Sequence, residues 1–340
     1  MMDQPPLIDV AIPTCDRPEL LRRAVESVRA NTLTRWRMTI SDDSGIKLGA
    51  DFVRQFNDPR IQYLSHAATG MVHDNWDSAC RAGKAPYVFK LDDDDTIEPD
   101  FLELTVAFLE KNADVSVVYT GYTILTGDKA IPLVDKHFFA DRETVDGLEY
   151  VRAILLNEGY PWNHKSAGVF RRKKAESIQW FKYARMDVTF SMALAIGSRV
   201  GYLPARLFNY YRRSPGETGP GEGMKPAVYE SILRDFNEFF SWPFVAENPE
   251  IRSMEHLAKS RIQFTVPLMY LSHSIRRDPV KIFFKKWKIT QRFVPPGRSW
   301  LLLAMILPLR LLPASWLNQL HDWYACTGWV KKALNFFMPH

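Results

Sequence analysis

Cysteine is scarce in this chain: Cys15, Cys80 and Cys326 are the only three, an odd number without C-x-x-C spacing. They cannot close fully into disulfides, and a reducing, cytoplasmic setting is expected. Long apolar runs are missing too. The longest, Trp300 to Leu309, is interrupted by Pro308 and followed by Arg310, short of the roughly 18 residues a spanning helix needs. The first residues, Met1 to Pro6, hold no basic cluster and no apolar stretch, so no secretory leader is expected. His66, His73, His137 and His164 stand without close partners in sequence, so the histidines form no metal-ligand pattern. No internal repeat is visible.

What is present suffices for two lobes: 340 residues, 46% of them hydrophobic, exceed one ordinary domain. The net charge of +5 is unevenly spread. Residues 1–220 carry 28 Lys and Arg against 30 Asp and Glu, whereas residues 221–340 carry 16 against 9. A basic partner surface would therefore belong to the second part. The segment Ser214 to Gly223 is rich in Gly and Pro and marks a boundary. Residues 1–220 are read as one domain and residues 221–340 as a mainly helical region, with helices over 226–240 and 251–274.

Within the first part, strands are expected at 7–12, 36–41, 61–64, 87–91, 115–125, 166–172, 200–203 and 207–211. Helices are expected at 18–31, 71–82, 99–112 and 183–196, where apolar residues recur at helical spacing. Residues 126–165 read as less regular. Alternation of this kind predicts an α/β fold, a mostly parallel sheet flanked by helices, whose ligands sit at the carboxyl ends of the strands.

Two acidic clusters fall at that edge: Asp42-Asp43 after the second strand and Asp92-Asp93-Asp94-Asp95 after the fourth. Adjacent carboxylates repel and raise one another's pKa. Mg²⁺ or Mn²⁺, sharing its coordination with substrate phosphates, would offset that repulsion. Capping of the helix near Pro99 would account for one or two of the four carboxylates, and Asp42-Asp43 alone also reads as a turn.

In this order, Val10 to Leu21, Asp42-Asp43-Ser44-Gly45 and Leu91 to Asp95 with Pro99 resemble the motifs of the family 2 glycosyltransferases with the GT-A (Rossmann-like) fold. These are inverting enzymes that use nucleotide sugars, and the similarity covers roughly residues 7–215. The resemblance implies a nucleotide site made by Pro13, Thr14, Asp16, Asp43, Gly70, Asp92 and Asp93. Asp43 would accept from the N3–H of uracil or thymine, favouring a UDP- or dTDP-linked donor, and Asp94 would bind the metal. It implies that Asp187 is the general base, removing a proton from an acceptor hydroxyl as that oxygen attacks the anomeric carbon. Apart from the resemblance, Asp187 reads as a helix N-cap. Trp162 and His164 fall where the family binds its acceptor. Cys15 stands where an aromatic residue is usual, Met186 where an acid often precedes the base, and Ser214 where histidine is frequent.

The remaining charge lies in residues 276–298, where eight Lys or Arg face one acid, Asp278, among Ile282, Phe283, Phe284, Trp287, Ile289 and Phe293. Such a pattern fits a helix in a membrane interface as well as a solvated helix with a core-facing stripe. The apolar segment after it favours membrane contact over 276–317, at the inner face of the cell membrane, and a glycan or lipid-linked acceptor for surface polysaccharide. Nucleic acid is not expected as a partner, since no recognised binding motif accompanies the charge. The alternatives are a sugar-phosphate nucleotidyltransferase, whose Gly-rich phosphate loop is not seen at Pro13 to Arg17, and a non-catalytic membrane-associated scaffold of the same fold.

Overall fold

Strand β1 (Ile8–Thr14) is buried at every position, as a strand with neighbours on both sides must be. It leads into helix α1 (Pro18–Arg29), which has proline in its first turn and buries Leu21, Ala24, Val25 and Val28 at helical spacing. Strand β2 (Trp36–Asp42), helix α2 (Gly49–Arg54), strand β3 (Ile61–Ser65), helix α3 (Val72–Arg81) and strand β4 (Tyr87–Lys90) follow. β1 pairs in parallel with β2 and with β4, and β2 in parallel with β3. The computed structural model describes residues 4–44, 49–65, 72–127, 129–135, 138–156, 165–211 and 226–262.

The chain continues through β5 (Thr96–Ile97), α4 (Phe101–Lys111), β6 (Val115–Thr126), β7 (Lys129–Leu133), β8 (Thr144–Asp146) and α5 (Gly147–Leu156). Then come β9 (Gly168–Arg171), α6 (Arg172–Ser177), α7 (Asp187–Ala195) and β10 (Arg199–Tyr211). The ten strands form one sheet in the order β3-β2-β1-β4-β9-β6-β10-β5, with β7 beside β6 and β8 beside β10. β9 lies antiparallel between β4 and β6, while β6 and β10 run parallel. The sheet is thus mixed: the parallel set β3-β2-β1-β4 and the parallel pair β6-β10 are joined through the antiparallel β9. Central and flanking apolar residues, among them Val10, Ile12, Val25, Met38, Phe89, Phe101 and Leu109, form one buried core.

Two local differences from the sequence expectation have physical causes. The strands expected at 200–203 and 207–211 are one strand, β10, whose register against β6 shifts between Leu203 and Phe208. Pro204, Ala205 and Arg206, between the two expected strands, are exposed there and form a bulge. Gly121 accommodates it, since a Cβ on Gly121 would lie 2.8 Å from the Pro204 carbonyl oxygen. The stretch 126–165, read as irregular, holds two short strands and α5, elements too brief to show a period. The helical pattern over 183–196, expected to start near Asp187, forms a helix that starts there, after a 3₁₀ turn at Trp180–Lys182.

The chain divides into two compact units, residues 1–151 with 160–213 and residues 152–159 with 214–340. The described part of the second contains α8 (Pro226–Phe239), α9 (Pro243–Ala246) and α10 (Pro249–Ser253), with further helical residues over 255–262. Proline opens α9 and α10, and the Asn248 side chain caps α10 by accepting from the Ile251 N–H. Phe239 packs against Phe240 and Trp242 at 5.3 and 5.0 Å between ring centroids. The expected helix over 251–274 is interrupted by a turn at Met254, and its residues beyond 262 lie outside the described ones.

Candidate active site

The carboxyl ends of β1, β2 and β4 converge, and Thr14 joins them. Its carbonyl oxygen accepts from the Asp43 N–H at 3.0 Å and from Asn75 Nδ2 of α3 at 3.0 Å. Its hydroxyl donates to Asp93 Oδ2 at 2.6 Å. Pro13 is buried beyond the end of the β4 ladder, which stops at Ala11, so its missing N–H breaks no bond to β4. Asp16 is exposed in the turn before α1 with φ at 55°, a left-handed conformation that Asp tolerates better than most residues.

The four aspartates after β4 are not equivalent. They form a turn closed by the Asp95 N–H, which donates to the Asp92 carbonyl at 3.1 Å, and in it Asp93 and Asp95 are buried while Asp92 and Asp94 stay half-exposed. Asp93 is fully enclosed, with Arg17 Nη2 at 2.6 Å from its Oδ1 in addition to Thr14 on Oδ2. That arginine contact is too bent to be a hydrogen bond and acts as a close ion pair. Burial pushes the Asp93 carboxyl up to about 6, although Arg17 and Thr14 pull it down. Asp93, expected to lie at a nucleotide's ribose or phosphates, is thus enclosed by protein, with Thr14 and Arg17 between it and the surface. Asp95 accepts from the Tyr211 N–H at 3.0 Å, anchoring the end of β10. Burial, and then Asp92 and Asp94, raise its pKa well above the ordinary range.

Helix capping does not explain these side chains. The residue before α4 is Asp100, which makes no side-chain cap, and the Glu98 carboxylate accepts from Asn209 Nδ2 at 2.8 Å. Asp94 meets Arg17 Nη1 at 3.3 Å and keeps 25% of its side chain exposed. Asp42, by contrast, is absorbed into the structure: Tyr63 Oη, the Ser44 N–H and Ser44 Oγ all donate to it at 2.8 to 2.9 Å.

Asp187 begins α7 but does not cap it; Met186 occupies the N-cap position and makes no side-chain cap. Its carboxylate instead lies 3.3 Å from Lys90 Nζ and accepts from Ser166 Oγ at 3.4 Å. The same ammonium is 2.8 Å from Asp92 Oδ1 and 4.2 Å from the centroid of the Trp76 ring. Asp187 keeps 31% of its side-chain surface. The protein packed around the rest of the carboxyl raises its pKa, against the lowering effect of Lys90. Burial tends to neutralise Lys90, yet Asp187 and Asp92 outweigh it and hold the ammonium charged, with its pKa raised.

Lys90, Arg17, Ser166 and Trp76 carry no role in the sequence reading. A visible signal was available for one of them. A lysine between Phe89 and Leu91 in an apolar strand must bury its charge against an acid or break the strand. Gly70, Trp162 and His164 lie outside the described residues. Among the described residues, no group of three or more His, Cys, Asp or Glu side chains is placed to hold a metal ion by itself.

A family model described as glycosyl transferase family 2 matches residues 9–179. The chain belongs to that family. The chain is 27% identical over 168 residues to WcaA of Escherichia coli K12, a putative colanic acid biosynthesis glycosyl transferase; the match covers 47% of the chain and 58% of WcaA. It thus spans less than two thirds of that relative, and smaller shares of others. Among solved structures, TarS 1–349 of S. aureus in complex with UDP superposes with a TM-score of 0.56 at 15% identity, covering 87% of this chain and 82% of that one. The mannosyltransferase PcManGT of Pyrobaculum calidifontis, solved with GDP-Man and Mn²⁺, superposes with a TM-score of 0.54 at 12% identity, covering 99% and 89%. These likenesses establish the GT-A fold of the chain.

Proposed function

We propose that this glycosyltransferase moves a sugar, with inversion, from a nucleoside-diphosphate sugar to a hydroxyl of a glycan or lipid-linked acceptor in polysaccharide synthesis. The observation that carries this reading is the position of Lys90, whose one ammonium contacts both Asp92 on the donor side and Asp187. That contact puts a half-exposed, hydrogen-bonded carboxylate next to the carboxyl edge of the sheet, where α/β folds bind nucleotides. A carboxylate so placed can accept the proton of an acceptor hydroxyl as its oxygen attacks the anomeric carbon from the face opposite the diphosphate. The proton ends on Asp187, the new glycosidic bond forms, and the nucleoside diphosphate leaves with the electrons of the broken one.

Asp43, backed by Thr14, is the candidate acceptor for a base N3–H, which favours UDP or dTDP donors. Pro13, Asp16 and Gly70 complete the nucleotide loop in this reading, and Trp162 and His164 the acceptor side. The available donors fit a cation that is shared with the diphosphate rather than caged by protein, since Asp94 is half-exposed and no three-ligand group stands beside it among the described residues. Mg²⁺ or Mn²⁺ held by Asp94 would neutralise the charge developing on the leaving diphosphate. Arg17, spanning Asp93 and Asp94, keeps the two carboxylates from repelling each other. That WcaA is named for colanic acid biosynthesis supports a polysaccharide product, and the basic stretch within 276–317 supports work at the inner face of the cell membrane.

Calorimetric titration of UDP, GDP and TDP, with and without Mn²⁺, tests the donor site. Metal-dependent binding is expected to weaken about tenfold or more in Asp94→Asn, equivalent to ~1.4 kcal/mol. Absence of binding by all three nucleotides in both conditions would remove the nucleotide-sugar reading.

A further inference from the structure

An ammonium loses its hydration when buried, so a buried lysine stays charged only beside compensating groups. Lys90, the last residue of β4, keeps 7% of its side-chain surface. Its Nζ has three neighbours of fixed position: Asp92 Oδ1 at 2.8 Å, Asp187 Oδ1 at 3.3 Å and the face of Trp76 at 4.2 Å. Two carboxylates and one ammonium leave the cluster one negative charge in excess. Without the ammonium, Asp92 and Asp187 would face each other across a poorly hydrated gap.

We propose that Lys90 is a positioning residue for glycosyl transfer, holding the Asp187 carboxylate ionised and oriented and shielding it from Asp92. This rests on the reading of Asp187 as the base.

Lys90 faces Asp187 from β4, Asp92 from the following turn, and Ser166 from the segment before β9. A small cavity beside it is lined by Tyr119 of β6, by Phe181, and by Phe190 and Ser191 of α7; none of these carries charge near neutral pH. The balance is therefore between burial, which raises the Asp187 pKa, Lys90, which lowers it, and Asp92, which raises it. Removing Lys90 must move the titration to higher pH. Removing the charge of Asp92 must move it lower, because one repulsion disappears and the ammonium serves Asp187 alone.

The experiment is a carbon NMR titration of the full chain labelled with [¹³C]aspartate at the carboxyl, with Asp187→Asn identifying the signal. In Lys90→Met the Asp187 midpoint is expected to rise, so that well below it the ionised fraction is about tenfold lower, as a displacement of one pH unit requires. Lys90→Arg is expected to restore the midpoint to near its wild-type position, and Asp92→Asn to lower it. A midpoint that stays put in both Lys90→Met and Asp92→Asn overturns the proposal. Should Lys90→Met fail to fold, the direction in Asp92→Asn decides, an unchanged or raised midpoint counting against the proposal. A separate outcome concerns the base itself: turnover of nucleotide sugar that survives Asp187→Asn sinks the general-base reading and this role of Lys90 in transfer, even if the titration moves as expected.

Discussion

Asp187 and Asp93 illustrate how one residue type takes two roles according to its surroundings. Asp93 has no exposed side-chain surface and is held by Thr14 and Arg17, so it organises the end of β1 against the turn after β4. Asp187 keeps an open side and a cationic neighbour, the arrangement a proton acceptor needs. Asp187→Asn preserves size and the hydrogen bond to Ser166 but cannot take a proton. It is expected to reduce transfer by about 10²- to 10⁴-fold while UDP binding in the presence of Mn²⁺ is retained, which steady-state rates and calorimetry together will show. With Asp187 as the base proposed above, wild-type activity should fall as the medium is acidified through the Asp187 pKa, because only the ionised form would accept the proton. Burial raises that pKa, so the acidic limb should lie above the usual carboxylate range.

At the scale of elements, the site depends on how α7 is seated. Its first residue is Asp187, and its far end packs against the start of α5, where the Gly147 N–H donates to the Ser198 carbonyl at 2.9 Å. A Cβ on Gly147 would overlap the carbonyl oxygens of Ala195 and Ser198, which are backbone and cannot rotate away. Gly147→Ala is therefore expected to cost about 1–3 kcal/mol in denaturant unfolding and to slow turnover by shifting α7, although Gly147 is remote from the chemistry. The buried pair of Arg172 and Asp9, 2.7 Å apart, ties α6 to β1 in the same backbone-bridging manner, with Arg172 Nε also donating to the Ala85 carbonyl at 2.6 Å. The main strands and helices were legible because their apolar residues repeat with clear periods. The β10 bulge and the short strands β5, β7 and β8 were not, since a bulge depends on a partner such as Gly121 in a distant strand. Likewise the two acidic clusters could be found by eye, but their division into enclosed and half-exposed carboxylates could not.

For the whole molecule, charge separates the two parts of the chain: the residues up to 220 are nearly balanced and those after it are basic. The basic segment 276–298 lies outside the described residues, and no helix among the described residues is long and apolar enough to cross a membrane. Under the proposed function the full chain is expected to sediment with vesicles containing anionic lipid and to be released as salt rises past about 0.15 M. Replacing Lys285, Lys286 and Lys288 with Glu should weaken that binding by about 3 kcal/mol or more, roughly a hundredfold. Equal sedimentation with neutral vesicles would remove the electrostatic part of the expectation.

Family membership and the order of strands, helices and acidic clusters followed from the linear chain, because hydrophobic periodicity and short motifs are local properties. Tertiary structure alone decided which carboxylates stay open, which are locked by Thr14, Arg17 and Tyr211, and that Lys90 stands between Asp92 and Asp187. Those groups are brought within hydrogen-bonding distance only when β1, β4, β10 and α7 meet at one edge of the sheet. Their protonation depends on that shared burial and charge, which no stretch of sequence contains by itself.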